Sequence, residues 1–261
     1  MLLDLLLLNV FLMLCSWILA TYNRRAGIVD ATWSFGIALN VMIATTVMTE
    51  APTILRIFLA ICSGVWFLRL TWHLLRRYLS ETAEDTRYAN MRRAMGRFQH
   101  AGFFAFFMFQ AGLISLFSYP MLKLLSFPAE AWSTWALSTV IVAALIMLTA
   151  FIGETIADQQ LYQFKRKPNN AGKTLDQGLW KYSRHPNYFF EWLHWFAYPI
   201  LGLAVGAYAL WIYPILMWIF LYYLTGIPFS EQQALAHRGD NYKDYQLRTS
   251  MFIPWPPKKI R

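Results

Sequence analysis

The chain has few charged residues. Only 14% of its 261 residues are Asp, Glu, Lys or Arg, whereas 57% are hydrophobic. A soluble domain usually carries about 25% charged residues, so this composition excludes an ordinary soluble protein. The mean hydropathy of +0.36 agrees with that conclusion. The sequence therefore predicts a protein that lies largely in a membrane.

Cysteines and several familiar motifs are scarce or absent. Cys15 and Cys62 are the two cysteines, and both fall in apolar stretches, where we interpret them as buried thiols. No G-x-G-x-x-G motif follows a strand pattern, which excludes a Rossmann dinucleotide site. The sequence also has no nucleic-acid-binding module, no Pro/Gly/Ser-rich linker and no long-period repeat. We therefore expect a single membrane domain that binds neither nucleic acid nor metal.

Apolar stretches of about 20 residues, enough to cross a bilayer, occupy most of the chain. We predict an all-α, polytopic helix bundle with about seven transmembrane helices, at residues 1–21, 28–49, 53–75, 101–122, 132–156, 187–205 and 207–226. The sixth and seventh spans are separated only by small residues around Gly202 and Gly206, which predicts a tight hairpin. The first span has no basic start and no small-residue cleavage site, so we interpret it as a retained helix.

The basic residues indicate the orientation of these spans. Four alternate segments hold 20 of the 23 Lys and Arg residues, at 22–27, 76–100, 158–186 and 227–261. Under the positive-inside rule these segments face the cytoplasm. The N-terminus is then outside and the C-terminus is cytoplasmic. We expect a multi-pass protein of a bacterial inner (cell) membrane, in contact with membrane lipid, whose net charge of +9 mainly reflects this topology.

The densest group of polar side chains comes just before the sixth span, in the run GLWKYSRHPNYFFEW at 178–192. Four polar residues arrive together there: Arg184, His185, Asn187 and Tyr188. Pro186 suits the first position of a helix, where its missing N–H costs nothing. Glu191 follows one turn later and is carried towards the hydrocarbon. An ionisable group at that depth is costly and indicates function.

Further polar side chains lie in the other cytoplasmic segments, and we expect them to converge on one pocket. They are His73 at the end of the third span, Arg87 and Arg92 after it, Asp158 and Lys165 after the fifth, and Glu231, Tyr242 and Arg248 in the tail. Single basic residues at such positions are usually anchors to lipid headgroups. Trp and Tyr residues there usually form interface belts. The functional hypothesis therefore depends on the cluster and its order.

This cluster resembles a known superfamily. The run YSRHPNYFFEW, with Glu231, Tyr242, Tyr245 and the IPWPP of 253–257, resembles the C-terminal domain of steroid 5-alpha-reductases. It is more similar to the bacterial branch of that superfamily known as domain of unknown function 1295. The segments VDATWSFG (29–36), RLTWHLLRR (69–77) and EDTRYANMRR (84–93) also resemble that branch. Isoprenylcysteine carboxyl methyltransferases, phospholipid methyltransferases and sterol reductases share the C-terminal signature, so it does not specify one reaction.

The resemblance implies that NADPH binds in the cytoplasmic end of the bundle. It implies that residues 1–125 form the substrate side and that residues 126–261 form the cofactor-binding part. Cofactor contacts are implied for a set of residues: Arg87, Arg92, Asp158, Lys165, Arg184, His185, Asn187, Tyr188, Glu191, Glu231, Tyr242 and Arg248. Among them, Asn187 and Glu191 match the pair that holds the nicotinamide end. Planar guanidinium groups suit the phosphates, and we expect that role for Arg87, Arg92 and Arg248.

One departure from the steroid enzymes concerns the group that polarises the substrate carbonyl. The chain has no counterpart of their Gln-Glu pair, so we expect Asp30 or His73 to act as the catalytic acid. The leading hypothesis is an NADPH-dependent oxidoreductase that reduces an activated C=C bond in a lipid-soluble, steroid- or isoprenoid-like substrate. The alternatives are an S-adenosylmethionine-dependent methyltransferase of a lipid or prenyl-type substrate, and a non-catalytic lipid-binding protein.

Overall fold

The computed structural model describes residues 1–224 and 226–258, and within these residues the chain forms helices and no strand. This confirms the predicted all-α class. Among the described residues, six helical runs are long and apolar enough to cross a membrane: Leu2–Asn23, Ile28–Val47, Thr53–Ser80, Thr86–Leu125, Ala136–Lys165 and Tyr208–Arg238. They make the chain a multi-pass membrane protein, and six of the seven predicted spans fall largely within them. The orientation in the membrane stays a prediction.

The remaining predicted span, 187–205, is helical but not continuous. It consists of helices Pro186–His194 and Ala197–Gly202, followed by a 3-10 turn at Leu203–Val205. Beyond it, Gly206 has a φ of 68°, and the N–H of Ala207 donates to the carbonyl of Gly202 at 2.8 Å. The left-handed conformation is one that glycine adopts without strain, and it produces the predicted tight turn. The seventh predicted span, 207–226, includes Thr225, which lies outside the described residues.

The chain divides into two compact units, Met1–Ser133 and Thr134–Arg261. Unit 1 contains six helices within its described residues: α1 (Leu2–Asn23), α2 (Ile28–Val47), α3 (Thr53–Phe58), α4 (Gly64–Ser80), α5 (Thr86–Met95) and α6 (Gln99–Leu125). A π-helical turn at Leu59–Ser63 joins α3 to α4. Helix α2 packs against α4 and α6, and α1 packs against α6 and α2.

Two polar pairs cross the apolar interior of unit 1. The Nδ2 of Asn9 donates to the Oγ of Ser115 at 2.9 Å, and the Nδ2 of Asn40 donates to the Oγ of Ser118 at 3.0 Å. The two serines are three residues apart and therefore share a face of α6. Since lipid offers no water to unpaired polar groups, such bonds help to fix α1 and α2 against α6.

The predicted connection 76–100 contains helix α5. Its N-cap is Asp85, whose Oδ1 accepts from the backbone N–H of Arg87 at 2.9 Å. The helix ends at Gly96, which has a φ of 51°. An Asp at the N-cap and a Gly after the last turn are recognised helix signals. They were present in the sequence, but the polar composition of this segment obscured them.

Unit 2 also contains six helices within its described part: α7 (Ala136–Lys165), α8 (Pro186–His194), α9 (Ala197–Gly202), α10 (Ile212–Ile219), α11 (Ile227–Arg238) and α12 (Asp240–Arg248). Helix α7 packs against α8 and α9. Gly153 permits this close approach, because a Cβ at that position would lie 2.3 Å from the ring of Phe190. After α12 the chain runs back beside the start of α8, where the N–H of Arg184 donates to the carbonyl of Ser250 at 2.8 Å.

Candidate functional site

Asp30, one of the two predicted acids, is held in an ion pair. The Nη2 of Arg87 donates to its Oδ2 at 2.9 Å, and the hydroxyl of Tyr88 donates to its Oδ1 at 2.6 Å. An arginine in a protein is always charged, so Arg87 and Asp30 form an ion pair. Both carboxylate oxygens of Asp30 therefore act as hydrogen-bond acceptors in this arrangement.

The same arginine also binds Asp85. Its Nε and Nη2 donate to the two carboxylate oxygens at 3.1 and 3.2 Å, and Arg77 contributes a further ion pair. Burial by itself raises the pKa of Asp85. The hydrogen bonds and charge of Arg87, with the charge of Arg77, outweigh burial and hold that pKa below its usual value. Arg87 thus joins the N-terminal turn of α2 to the N-cap of α5.

Arg92 is paired with a different carboxylate. Its Nε and Nη2 donate to the two oxygens of Glu84 at 2.9 and 2.7 Å, and its Nη1 donates to Gln99 at 3.2 Å. Glu84 also accepts from the N–H of Ala26 at 3.1 Å. We call the paired residues Asp30, Arg77, Glu84, Asp85, Arg87 and Arg92 the ionic cluster of unit 1.

The cavity beside the ionic cluster is small. It measures about 20 Å³ and is bordered by Asp30, Arg77, Glu84 and Asp85. A space of that size holds about one water molecule. His73, the other predicted acid, does not border this cavity and is exposed on α4.

In unit 2 the polar residues around α8 converge on Glu231 of α11. Its Oε1 accepts from the Nε of Arg184 at 2.9 Å, the Nε2 of His185 at 2.8 Å and the hydroxyl of Tyr242 at 2.8 Å. Its Oε2 accepts from the Nη2 of Arg184 at 3.2 Å and from Gln246. We call these residues the Glu231 hub.

Arg184 is fully engaged within the hub. Its Nη1 donates to the carbonyls of Gln246 and Thr249, both at 3.0 Å, so all three of its nitrogens have protein acceptors. The residue is only 7% exposed. Arg184 therefore ties the start of α8 to α11 and to the end of α12.

Burial shifts the pKa of two residues of the hub, His185 and Tyr242. Burial lowers the pKa of His185, although its hydrogen bond to Glu231 acts in the opposite direction. Burial raises the pKa of Tyr242, and the charge of Glu231 raises it further. At neutral pH His185 is therefore uncharged and Tyr242 remains a hydrogen-bond donor. The ring of His185 stacks on Tyr188, with centroids 5.5 Å apart and planes 7° from parallel.

Unit 2 also contains a cavity of about 300 Å³, bordered by residues of α7, α8, α11 and α12 and of the segment 174–180. This volume lies within the range of small-molecule sites. Six of the residues predicted to bind cofactor border it: Lys165, Arg184, His185, Asn187, Tyr188 and Tyr242. We call it the unit 2 cavity.

Helices α7 and α11 both border the unit 2 cavity, and each places polar residues at different points along it. At one end Asn187 donates to Asp158 of α7 at 3.3 Å, and the hydroxyls of Tyr188 and Ser230 of α11 lie 3.2 Å apart. Lys165 is seven residues further along α7, about 10 Å at 1.5 Å per residue. Arg238 is eight residues beyond Ser230 along α11, about 12 Å. Lys165 and Arg238 thus border the cavity about 10–12 Å along their helices from the contacts with α8. We call Asn187 and Tyr188 the amide end of the cavity, and the parts of its lining at Lys165 and Arg238 its basic end.

The lining of the unit 2 cavity is one-sided in charge. Among the described residues that border it there are Lys, Arg and His side chains but no Asp or Glu. Arg184 is neutralised by Glu231. Arg238 lies 5.8 Å from the centre of the Tyr242 ring, and in the described part of the chain no carboxylate is within 4 Å of it. The cavity thus favours an anionic ligand.

The other predicted cofactor residues do not border the cavity. Glu191 is buried in α8, where its Oε1 accepts from the Nε1 of Trp195 at 3.4 Å. Arg248 is paired with Asp176 at 2.7 Å. Asp158 and Glu231 do not line the cavity but contact residues that do. Asp158 accepts a hydrogen bond from Asn187, and Glu231 accepts one from His185.

Sequence reasoning did not identify several residues of the cavity. On α11 these are Ser230, Gln233, His237 and Arg238. The spacing of three and four residues places Ser230, Gln233 and His237 on one helical face, a signal that was available in the sequence. Arg238 is adjacent to His237 and had no such signal. Thr174 had no such signal, because only the fold brings the segment 174–180 to this cavity. Within 1–224 and 226–258, no three His, Cys, Asp or Glu side chains are grouped to hold a metal ion.

Comparison with known proteins identifies the family. The family described as "Protein of unknown function (DUF1295)" matches residues 16–249. The chain belongs to the DUF1295 family. This confirms the resemblance seen in the sequence, and the match includes both the ionic cluster and the Glu231 hub of this DUF1295 chain.

Two curated relatives are similar to this DUF1295 chain. "Uncharacterized protein C594.04c" of Schizosaccharomyces pombe (strain 972 / ATCC 24843) is 25% identical over 219 residues, which cover 75% of the chain and 62% of the relative. "Methanethiol S-methyltransferase" of Mycobacterium tuberculosis (strain ATCC 25618 / H37Rv) is 28% identical over 137 residues, which cover 49% of the chain and 51% of the relative. The chain thus aligns with less than two thirds of either relative's length. No solved structure matches it significantly.

Proposed function

We propose that this protein is a membrane-embedded, NADPH-dependent reductase of an activated C=C bond in a lipid-soluble, steroid- or isoprenoid-like substrate. The observation that carries the proposal is the unit 2 cavity. It has an amide at one end and cations about 10–12 Å away, by the helical rise, and no carboxylate among the described residues of its lining. NADPH combines a carboxamide at one end with several phosphates.

The donor set of the cavity fits this cofactor. The Oγ1 of Thr174 is a buried hydroxyl without a hydrogen-bond partner, and it borders the cavity. A buried donor without an acceptor costs about 1–3 kcal/mol, which an anionic oxygen of a ligand would offset. Asn187 is oriented by Asp158, so its amide can be presented to a carboxamide. Lys165 and Arg238 supply positive charge for phosphates.

Bound NADPH would supply a hydride to the carbon β to the substrate carbonyl. The protein's residues would hold the reactants and protonate the product. The Glu231 hub keeps α8 in place, so that Asn187 and Tyr188 stay at the amide end. Of the two acids proposed from the sequence, Asp30 has both oxygens engaged as acceptors, from Arg87 and from Tyr88. The role of proton donor therefore moves to His73 in this proposal.

A second candidate is an S-adenosylmethionine-dependent methyltransferase. The observation that favours it is the relative named methanethiol S-methyltransferase, 28% identical over 137 residues. A volume of about 300 Å³ is also at the lower end of the usual range for ligand sites, which suits a ligand with one nucleoside. Against it, the sulfonium and ammonium groups of that cofactor are cations, and the described lining has no carboxylate to receive them.

One binding experiment separates these functions from a third, non-catalytic lipid-binding role. The full chain is purified in detergent, and its unfolding midpoint is measured with NADPH, with NADH and with S-adenosylmethionine. A ligand that binds the folded state stabilises it by RT ln(1 + [L]/Kd). We expect the midpoint to rise with NADPH. A rise with S-adenosylmethionine alone would establish the second candidate, and no rise with any ligand would favour lipid binding.

Asn187→Ala tests whether the amide end is used. Loss of one buried hydrogen-bond partner costs about 1–3 kcal/mol, so we expect NADPH to bind about 5- to 150-fold more weakly. Asn90→Ala is the matched control, because Asn90 lies in α5 and contacts Arg93. NADPH affinity equal to that of the unmodified protein in Asn187→Ala would place the nicotinamide elsewhere.

A further inference from the structure

The three arginines predicted to contact phosphate are all paired with carboxylates. Arg87 binds Asp30 and Asp85, Arg92 binds Glu84 on two oxygens, and Arg248 binds Asp176. A phosphate would have to displace these carboxylates and leave them unpaired. The phosphates of a bound nucleotide would therefore need partners other than these three arginines.

Arg238 has the properties that these three arginines lack. It borders the unit 2 cavity at its basic end. Among the described residues no carboxylate lies within ion-pair distance of it, and its guanidinium lies over the face of the Tyr242 ring, 5.8 Å from the ring centre. A contact with a ring face leaves the N–H donors at the guanidinium edge available. A guanidinium with free edge donors is the group best shaped to bind a phosphate through two parallel bonds.

Thr174 provides a second, independent indication of a ligand. Its hydroxyl is buried at the cavity and has no partner. Its backbone N–H donates to the Oδ1 of Asn241 at 2.9 Å, and the Arg248–Asp176 pair holds the chain two residues later. The backbone that carries the hydroxyl is therefore held in place. Since buried donors in proteins are nearly always satisfied, an acceptor from a ligand is expected there.

We propose that Arg238 and Thr174 form a phosphate-binding subsite at the basic end of the unit 2 cavity. Arg238 donates two hydrogen bonds to the phosphate oxygens, and the hydroxyl of Thr174 donates one. As a subsite for NADPH the inference rests on the proposed function, whereas phosphate recognition by this pair can be tested without it. The phosphate is either the 2′-phosphate or the pyrophosphate of the dinucleotide, and the two are separated by comparing NADPH with NADH.

The test measures the affinity of the detergent-purified full chain for NADPH and NADH by titration calorimetry. The variants are Arg238→Gln, Arg238→Lys and Thr174→Val. Arg166→Gln is the matched control, because it removes the same charge from an exposed residue of unit 2 that does not border the cavity. We expect Arg238→Gln to weaken NADPH binding about 10- to 100-fold, the usual range for a charge-assisted hydrogen bond, and Arg166→Gln to have no effect.

The other variants and the second ligand refine this result. Arg238→Lys should recover only part of the affinity, because a lysine cannot form the two parallel bonds. Thr174→Val removes the hydroxyl at nearly constant volume and should weaken binding, whereas Thr174→Ser should restore it. An equal loss for NADH assigns the pyrophosphate, and a loss for NADPH alone assigns the 2′-phosphate. Unchanged NADPH binding in Arg238→Gln overturns the subsite.

A second measurement separates failure of the subsite from failure of the proposed function. The unfolding midpoint of the full chain is measured with inorganic pyrophosphate, for the unmodified protein and for Arg238→Gln. Should the unmodified protein bind no dinucleotide, the reductase proposal fails. The subsite then stands if pyrophosphate raises the midpoint of the unmodified protein more than that of the variant. Equal responses of the two proteins overturn it.

Discussion

The two units use arginine in different ways. In unit 1, Arg87 pairs with two carboxylates, Asp30 and Asp85, and Arg92 binds both oxygens of Glu84. The adjacent cavity measures only about 20 Å³ and is bordered by these three carboxylates. In unit 2, Arg184 is equally engaged with Glu231, but Arg238 borders a cavity of about 300 Å³ that has no carboxylate among its described lining residues.

The comparison distinguishes arginines that stabilise the fold from an arginine that is available to bind a ligand. An arginine with all its donors engaged adds rigidity, and its replacement changes stability first. An arginine at a carboxylate-free cavity adds little to stability, and its replacement changes ligand affinity first. The residue type and the cytoplasmic position predicted from the sequence are the same in both cases, so only the partners distinguish them.

The largest effect is expected for Glu231→Ala. This change leaves the buried guanidinium of Arg184 without its carboxylate, and breaking a buried pair in this way costs about 3–5 kcal/mol. We expect a large fall in the unfolding midpoint of the purified protein, whether or not a ligand is present. A midpoint close to that of the unmodified protein would show that the hub does not support unit 2.

A smaller effect is expected for Arg87→Ala. Asp30 and Asp85 lose a common partner, but both are near solvent, so we expect about 1–2 kcal/mol of destabilisation rather than the larger buried-pair value. The affinity for NADPH should be unchanged after correction for folded fraction, as measured by calorimetry. A loss of affinity with an unchanged midpoint would mean that Arg87 contacts the cofactor, as predicted from the sequence.

Stability should also depend on pH through His185. Because its native pKa lies below the ordinary 6.5, the unfolded chain binds more protons than the native protein between those two values. Stability therefore falls as pH decreases through 6.5, and it is fully present above that pH. His185→Gln should lose this component, which is measured as the difference in midpoint between the two proteins across the range. Identical pH dependence in both proteins would contradict the assignment.

The smallest effect is expected for the exposed pair of Lys243 and Asp240 on α12. Their charged groups are 2.8 Å apart, but both side chains are largely in solvent. Such pairs contribute little, since solvent and salt screen them. Lys243→Gln should leave both the midpoint and ligand affinity unchanged, so it serves as the reference for the other variants.

Much of the fold could be predicted from the sequence because a bilayer restricts the possibilities. Apolar stretches of span length gave six of the helical runs, including the long one at Ala136–Lys165. The break at Trp195 and Phe196 was missed, because hydropathy does not reveal where one apolar helix ends and another begins. Helix α5 was missed because its residues are polar, and helix periodicity is then hard to recognise.

The candidate site was predicted in part, because some of its residues belong to one local motif. Local motifs placed Arg184, His185, Asn187 and Tyr188 together, and all four border the unit 2 cavity. Arg184 and His185 also contact Glu231. Thr174 and Arg238 could not be selected, because nothing in their local sequence distinguishes them from other polar residues of cytoplasmic segments.

The sequence by itself determined the membrane class, the approximate spans, the family and the polar segment before α8. These depend on composition and on short motifs, which are local properties of the chain. Only the tertiary structure decided which cations are neutralised and which border a cavity. Hydrogen bonds and ion pairs act over a few ångströms between residues that lie far apart in the chain, as Arg184 and Glu231 do. Their pairing exists only once the helices have packed.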